Sequence, residues 1–358
     1  MQLLQKFRRD KSDSTQMKGS SNYAYVATRV RAKKSKLLPK ETYPRLMNMG
    51  IDEITRFIEE AGYKQDIDEL ARVYEGVDLI EHALNRNLAE TFTKLISISE
   101  GEPNYLITQY LKKYDIWNIK TILRGKYSGA SADEIKEAVV SAGEFSYTFL
   151  SNLADKESSS DVIAAFEGTE YQPTIKGYDG TNLSDIENKL DKLYYTRLFG
   201  AIGNIKSKDR KLFEKFVRTE IDIQNIRTLF RLKKVQEVPE GILDLMIDGG
   251  LDLETKDIKK LVALSYEEFI QELSKYSFWS DMSDIVNTDT ESLIDVETQL
   301  TKYSLKSATS FSHIYPLSIV PIMDYIISKV NEVNNLRIII RGKAANLSDE
   351  TIKNQLVI

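Results

Sequence analysis

The sequence has no cysteine in its 358 residues, and this absence excludes disulfides, thiolate metal ligands and a cysteine nucleophile. Histidine is almost as scarce, since His82 and His313 are the only two, which nearly excludes a zinc site with imidazole ligands. Only seven prolines occur, as expected of a helix-rich chain, because proline interrupts helix interiors. These shortages favour an all-α protein that holds no metal or other cofactor.

Long apolar runs are also missing. No stretch reaches the roughly 18 apolar residues that a membrane-spanning helix needs, and the first residues lack a signal-peptide pattern. The formal net charge of -5 argues against nucleic acid as the main partner. We find no glycine-rich phosphate loop, no nucleophile at a recognisable spacing from histidine, and no calcium loop. We therefore expect no catalytic residues, no nucleic-acid partner and no small-molecule substrate.

One motif occurs three times and determines how the rest of the sequence is interpreted. Its copies occupy residues 115–126, 222–233 and 332–343. Each copy has an acidic residue, an asparagine three positions later, and bases two, six and eight positions after the asparagine. The asparagines are Asn118, Asn225 and Asn335, and the first two bases of each copy are Lys120 and Arg124, Arg227 and Arg231, and Arg337 and Arg341.

The repeat extends beyond this motif. A glutamate precedes each asparagine by 37 or 38 positions, in an aliphatic-Glu-x-x-Leu pattern typical of a helix; these are Glu81, Glu187 and Glu297. An acid followed by an apolar residue precedes each glutamate by 26 to 29 positions, at Glu53-Ile54, Asp161-Val162 and Glu268-Phe269. Each module is thus predicted to contain an acid-aliphatic helix, a glutamate helix and an asparagine-base helix.

The module boundaries predict a closed architecture. The motif asparagines lie 107 and 110 positions apart, and modules of that length fit 71–180 and 181–290, whereas 291–358 is too short. The helix type that it lacks occurs in residues 22–70, so the third module is split between the two ends of the sequence. A linear solenoid needs caps rather than a shared module. We therefore predict an all-α, three-fold funnel with a central hollow, preceded by a short, poorly ordered extension over residues 1–21.

Apolar spacing predicts where the first long helices lie. Steps of three and four residues indicate helices over 23–38, 51–63 and 71–98. Pro39 ends the first of these, and Pro103 suits the first turn of the helix that leads to the first motif copy. Residues 336–340 are rich in β-branched side chains and look strand-like locally. Their alignment with two clearly helical copies nevertheless predicts a helix there.

The motif bases allow two interpretations. They could form a ring of positive charge around the hollow. Alternatively, Arg124, Arg231 and Arg341 could pair with Glu81, Glu187 and Glu297 of the preceding helix, because such a pair fixes helix register with bidentate geometry. The joint recurrence of acid and base favours pairing. The asparagines are poor mid-helix residues, so their recurrence predicts a hydrogen bond between elements of one module rather than an anion site.

The sequence resembles a known family, the C subunits of the archaeal-type (A-type) ATP synthases, which are related to the d subunit of the vacuolar ATPase. The resemblance is carried by residues 21–31 (SNYAYVATRVR), by the three motif copies and by the triplication of the module. It covers nearly the whole chain from Ser21 onward. Residues 1–20 lie outside it.

The resemblance implies a funnel of three similar helical domains without an active site. Such a subunit sits as a peripheral protein on the cytoplasmic face of the membrane rotor ring. It receives the foot of the central shaft in its hollow and couples the shaft to the ring. Its partners would be the central-shaft subunits and the rotor ring. Two other hypotheses remain at this point: a helical-repeat adaptor of an unrelated complex, and an enzyme whose site lies between modules.

Overall fold

The computed structural model describes residues 20–178, 180–203, 207–235, 242–286 and 292–358. Within those ranges the chain is all-α and contains no strand, which confirms the predicted fold class. The extension predicted for residues 1–21 lies outside the described residues, apart from Ser20 and Ser21. The three-fold funnel stays a prediction.

Eighteen α-helices occur in those ranges. Helices α1 to α6 span Tyr23–Lys34, Thr42–Met47, Ile51–Ile58, Lys64–Leu70, Gly76–Ile98 and Glu102–Leu111. Helices α7 to α12 span Lys113–Ser128, Ala132–Ala138, Tyr147–Ala154, Ser159–Ala164, Gln172–Ile175 and Leu183–Ile202. Helices α13 to α18 span Lys208–Val235, Thr255–Ala263, Tyr266–Leu273, Leu293–Ile314, Val320–Ala344 and Asp349–Gln355. A π-helical turn, Glu59–Tyr63, and two 3₁₀ turns, Ile242–Leu245 and Ser277–Asp281, complete the described elements.

The chain forms two compact units. The first unit combines Met1–Val26 with Gly62–Asn204, and the second combines Ala27–Ala61 with Ile205–Ile358. The boundary near the start of the chain falls within α1. The segment 27–61 is therefore packed in the same unit as the second and third motif copies, although it lies far from them along the chain.

Each unit has an apolar core that the sequence pattern anticipates. In the first unit, α5 buries Ile80, Leu84, Leu88 and Phe92 at four-residue steps, which is the spacing of one helix face. In the second unit, α13 buries Phe230 against Phe269 of α15, with ring centroids 5.0 Å apart at a steep angle. Close-packed interiors of this kind deform little.

Two predicted helix boundaries were wrong. Helix α5 begins at Gly76, not at residue 71, and Val73, which precedes it, is 75% exposed. Gly76 has a φ of +57°, a conformation that breaks regular helix and that glycine adopts readily. Helix α1 ends at Lys34, well before the boundary set by Pro39. The predicted helix at residues 336–340 is present within α17.

Candidate functional site

The three motif asparagines make the same pair of hydrogen bonds. Each is almost fully buried and binds the backbone of the residue 22 positions later. The Asn118 amide donates to the Val140 carbonyl at 2.8 Å and accepts from the Val140 N–H at 2.8 Å. Asn225 binds Ile247 in this way, and Asn335 binds Val357. The predicted hydrogen bond between elements is thus present, and it fixes an extended return segment beside the motif helix.

In the first two copies, the acid three positions before the asparagine holds the same return segment further along. Asp115 accepts hydrogen bonds from the N–H groups of Glu144 and Phe145 at 2.9 and 3.0 Å. Asp222 likewise accepts from the N–H groups of three consecutive residues, Leu251, Asp252 and Leu253. The first two motif helices are therefore tied to their return segments at two points each.

Glycine allows this close approach. A Cβ on Gly143 would lie 2.3 Å from Asp115 Oδ1, and a Cβ on Gly250 would lie 2.0 Å from Asp222 Oδ1. Real Cβ atoms do not approach an oxygen that closely. The glycine 28 positions after each aspartate therefore belongs to the same arrangement as the carboxylate and the backbone N–H groups it receives.

Burial dominates the titration of these two aspartates. Desolvation raises the pKa of Asp115 from 3.8 to about 7, although the backbone N–H groups of Glu144 and Phe145 oppose the rise. Desolvation also raises the pKa of Asp222, to about 6, against hydrogen bonds from Asp252, Leu253 and Leu251. Burial disfavours a charged carboxylate, and hydrogen bonds to the charged form favour it. Both groups are used structurally, because their oxygens are committed to backbone donors.

In the third copy the return segment comes from two distant parts of the chain. Glu332 stands at the acidic position, and it accepts from the Leu38 N–H at 2.6 Å and from the Lys329 ammonium at 2.8 Å. Asn335 meanwhile binds Val357. Residues near Leu38 thus take the place that residues 144–145 and 251–253 take in the other copies. All of these third-copy residues belong to the second unit.

Arg124 and Arg231, six positions after their asparagines, form ion pairs, but with different acids from those predicted. Both Nε and an Nη of Arg124 donate to the two carboxylate oxygens of Glu187. Arg231 donates through Nε and Nη2 to Glu297 Oε1. The predicted pairing with the glutamate of the preceding helix was wrong for these two residues. The acid lies on the next glutamate helix along the chain, so each pair joins one module to the following one.

The remaining motif bases show less regularity. Lys120 donates to both carboxylate oxygens of Asp191, at 2.9 and 2.7 Å. Arg227 donates to Gln224 at 2.6 Å, and Arg337 approaches Asn334 at 3.4 Å. Arg341 lies at an exposed position. Glu81, the predicted partner of Arg124, is fully buried.

The ion pairs of the motif bases test the first interpretation, in which these bases form a ring of positive charge around the hollow. Lys120, Arg124 and Arg231 each face a carboxylate. They do not form the uncompensated positive ring that the sequence allowed. Their charges are neutralised by acids of the following copy of the sequence repeat.

Two lysines have a role that the sequence did not reveal. Lys126, eight positions after Asn118, donates to the carbonyl of Ala154 at 2.6 Å, the last residue of α9. Lys233 occupies the same motif position and donates to the carbonyl of Val262 at 2.6 Å, near the end of α14. A cation at a helix C-terminus satisfies carbonyls that lack a helical partner and interacts favourably with the helix dipole.

The acid-aliphatic marker of each module is a helix start. Ser265 and Glu268 form a reciprocal capping box at the start of α15. Ser158 accepts from the Asp161 N–H at the start of α10, and the Glu53 carboxylate accepts from the Gly50 N–H at the start of α3. The acid is thus the third helical residue, which satisfies otherwise unpaired N–H groups, and the apolar residue that follows it is buried in all three helices.

These hydrogen bonds and ion pairs hold helices and return segments together, and they do not form a reaction centre. The motif carboxylates and amides face backbone groups, and three of the motif bases, Lys120, Arg124 and Arg231, face carboxylates. Among the described residues no group of three or more histidine, aspartate or glutamate side chains is placed to hold a metal ion. No helix in the described ranges is both long enough and apolar enough to cross a membrane.

Comparison with known proteins matches residues 26–355 to the family model described as ATP synthase (C/AC39) subunit. The chain belongs to this family. The match spans all three motif copies together with the segment around Leu38. Family membership confirms the resemblance noted in the sequence and gives the chain the role of an ATP synthase subunit. It overturns the adaptor hypothesis, in which the complex was unrelated.

Relatives of this family cover the chain along its whole length. The C subunit of the A-type ATP synthase of Methanococcoides burtonii is 67% identical over 358 residues, which is 100% of both chains. The protein of the same name from Archaeoglobus fulgidus is 38% identical over 336 residues, covering 94% of this chain and 96% of its own. That from Haloferax volcanii is 35% identical and covers 95% and 99%.

Proposed function

We propose that this chain is a non-catalytic subunit of the central stalk of an archaeal-type ATP synthase. It seats the central shaft on the membrane rotor ring and transmits torque between them during ion-driven ATP synthesis, with H⁺ or Na⁺ as the transported ion. It acts as a peripheral protein on the cytoplasmic face of the membrane. The observation that carries the proposal is membership of the ATP synthase (C/AC39) subunit family over residues 26–355.

The repeated hydrogen bonds and ion pairs of the motif residues support a mechanical role. Torque is transmitted only by a body that deforms little, and each motif helix is fixed to its return segment through an asparagine and an acid. The donors and acceptors are mostly buried, where hydrogen bonds are stronger than in water. Ion pairs such as Arg124–Glu187 then connect one module to the next within a unit.

The contact between Leu38 and Glu332 supports a closed arrangement of three modules. In that arrangement the foot of the shaft occupies the hollow of a three-fold funnel, and the rotor ring contacts the opposite face. The modules are 71–180, 181–290, and 291–358 completed by 22–70. The motif residues then hold the wall of the funnel together and do not contact the shaft through free charges.

Calorimetry with the purified central-shaft subunits tests the proposal. We expect saturable one-to-one binding. Its affinity should fall only modestly between low and high salt, because Lys120, Arg124 and Arg231 are already paired with carboxylates. A folded chain that binds neither the shaft alone nor a shaft assembled with the rotor ring would refute the stalk assignment. As a second readout, a synthase reconstituted without this chain should hydrolyse ATP without pumping ions.

A further inference from the structure

A groove of about 250 Å³ lies in the second unit, between α13 and α16. Phe216 and Glu220 of α13 line one side, and Ser304 and Ser307 of α16 line the other. The serines are small, so they leave space between two helices that are otherwise closely packed. Aromatic side chains of α16, including Phe311, form part of the wall.

The first unit contains the equivalent cleft, and there it is closed. Alignment of Glu187 with Glu297 places Tyr194 at the position of Ser304 and Arg197 at the position of Ser307. The cleft that these two larger residues line retains only about 10 Å³. The two clefts therefore differ because the repeats diverge at the residues that fill them.

The closed cleft shows which groups fit this shape. The Tyr194 hydroxyl donates to the Tyr110 carbonyl at 2.9 Å. The Arg197 guanidinium lies 5.7 Å from the centre of the Tyr171 ring, pairs with the Glu170 carboxylate and donates to the Glu170 carbonyl at 3.0 Å. A phenol and a guanidinium three positions apart thus fill the space, with an aromatic face and a carboxylate as their partners.

The open groove retains partners of the same chemistry. Asp252 supplies an exposed carboxylate at its edge, and its Oδ2 accepts from the Ser277 hydroxyl at 2.8 Å. The ammonium of Lys215 already lies 4.4 Å from the centre of the Phe311 ring, so this wall accommodates a cation over an aromatic face. Asp252 and Glu220 together outweigh the one positive charge of Lys215 among these three lining residues.

We propose that this groove binds a segment of another protein that presents an arginine and a tyrosine three positions apart. The arginine enters beside Ser307, pairs with Asp252 and stacks on an aromatic face, and the tyrosine takes the space above Ser304. The partner then supplies to this repeat the two side chains that the preceding repeat supplies for itself. A planar guanidinium suits such a site better than an ammonium, because it combines stacking with forked hydrogen bonds.

The probe is the peptide acetyl-Tyr-Ala-Ala-Arg-amide, titrated into the full chain and followed by methyl NMR of Ala308 and Leu251, which line the groove. We expect saturable shifts at both methyls with a dissociation constant in the millimolar range. The variant Ser307→Arg fills the groove and should weaken binding by at least about tenfold, or 1.4 kcal/mol. The matched control Ser310→Arg adds the same side chain at an exposed position of α16 and should leave the affinity unchanged.

The reciprocal change opens the other cleft. Tyr194→Ser combined with Arg197→Ser should create a second binding site for the same peptide in the first unit. If this double variant does not fold, the comparison between Ser307→Arg and Ser310→Arg still decides. Absence of saturable shifts in the wild-type chain overturns the proposal. Equal binding by the peptide with lysine in place of arginine, or unchanged binding by Ser307→Arg, overturns it as well.

Discussion

Replacing Asn118 by alanine isolates the contribution of one motif asparagine to the free energy of unfolding. The substitution removes a donor and an acceptor that both bind Val140 at 2.8 Å. The Val140 carbonyl keeps a second hydrogen bond, from the Ala142 N–H, whereas the Val140 N–H loses the acceptor that Asn118 Oδ1 provides. Because Val140 is buried, its N–H would be left without water or protein as a partner.

The magnitude follows from these two unequal losses. A buried donor left unpaired costs roughly 1–3 kcal/mol, and one of two bonds to a carbonyl contributes about 1 kcal/mol. We therefore expect Asn118→Ala to lower the free energy of unfolding of the first unit by roughly 2–4 kcal/mol. Asn118→Asp keeps the acceptor but sets a carboxylate against the Val140 carbonyl, so its loss should be at least as large at neutral pH and smaller in acid.

Tryptophan fluorescence during urea unfolding provides the assay. The chain has two tryptophans, Trp117 in the first unit and Trp279 in the second, so Trp279→Phe leaves a reporter of the first unit only. Asn152→Ala, at an exposed position of α9, is the control and should change stability by less than about 0.5 kcal/mol. A similarly small change for Asn118→Ala would refute the inference that the motif asparagine stabilises the return segment.

Further predictions concern the same unit. Gly143→Ala should destabilise it by roughly 2 kcal/mol or more, because the new Cβ would meet Asp115 Oδ1 at 2.3 Å, whereas Gly177→Ala, where no atom lies within 4 Å of the new Cβ, should change urea stability little. A double-mutant cycle with Arg124→Ala and Glu187→Ala should give a coupling energy of about 0.2–1 kcal/mol, since the pair is partly exposed; zero coupling would contradict its role between the sequence repeats. The pKa of Asp115 is higher in the folded chain, about 7 against 3.8, so its contribution to stability is full below about pH 4 and disappears as pH rises through about 7. Between these limits the wild-type unfolding free energy should therefore fall relative to that of Asp115→Asn, and parallel pH profiles would show that Asp115 does not titrate there.

Apolar periodicity and sequence repetition predicted the all-α fold class and the hydrogen bonds of the motif asparagines. The three asparagines share a place in three helical copies, so a shared hydrogen bond could be expected from their recurrence alone. The buried face of α5 followed from apolar spacing. Boundaries were less predictable, because the start of α5 depends on the backbone conformation of Gly76 rather than on apolar spacing.

The sequence did not identify the partners of the motif acids and arginines. The joint recurrence of arginine and glutamate indicates that Arg124 and Arg231 each pair with a glutamate. Because every repeat contains one such glutamate, the sequence does not distinguish the glutamate of the preceding helix from that of the following one. Only the packing of the helices determines which glutamate is the partner. The backbone N–H groups that bind Asp115 and Asp222 carry no side-chain signal at all. The glycine that follows each of these aspartates at the same spacing was the one visible sign, and it is informative only once the close approach is known.

The hydrogen bond between Leu38 and Glu332 also has a consequence for biosynthesis. The two residues are 294 positions apart, so at the usual rate of about 5–20 residues per second Leu38 is synthesised roughly 15–60 s before its acceptor. By the time residue 204 is added, residues 62–204 of the first unit are complete, whereas the segment 27–61 still lacks residues 205–358 of its own unit. We therefore expect the first unit to fold on the ribosome, and the segment before it to wait, still open to chaperones, until synthesis is nearly finished.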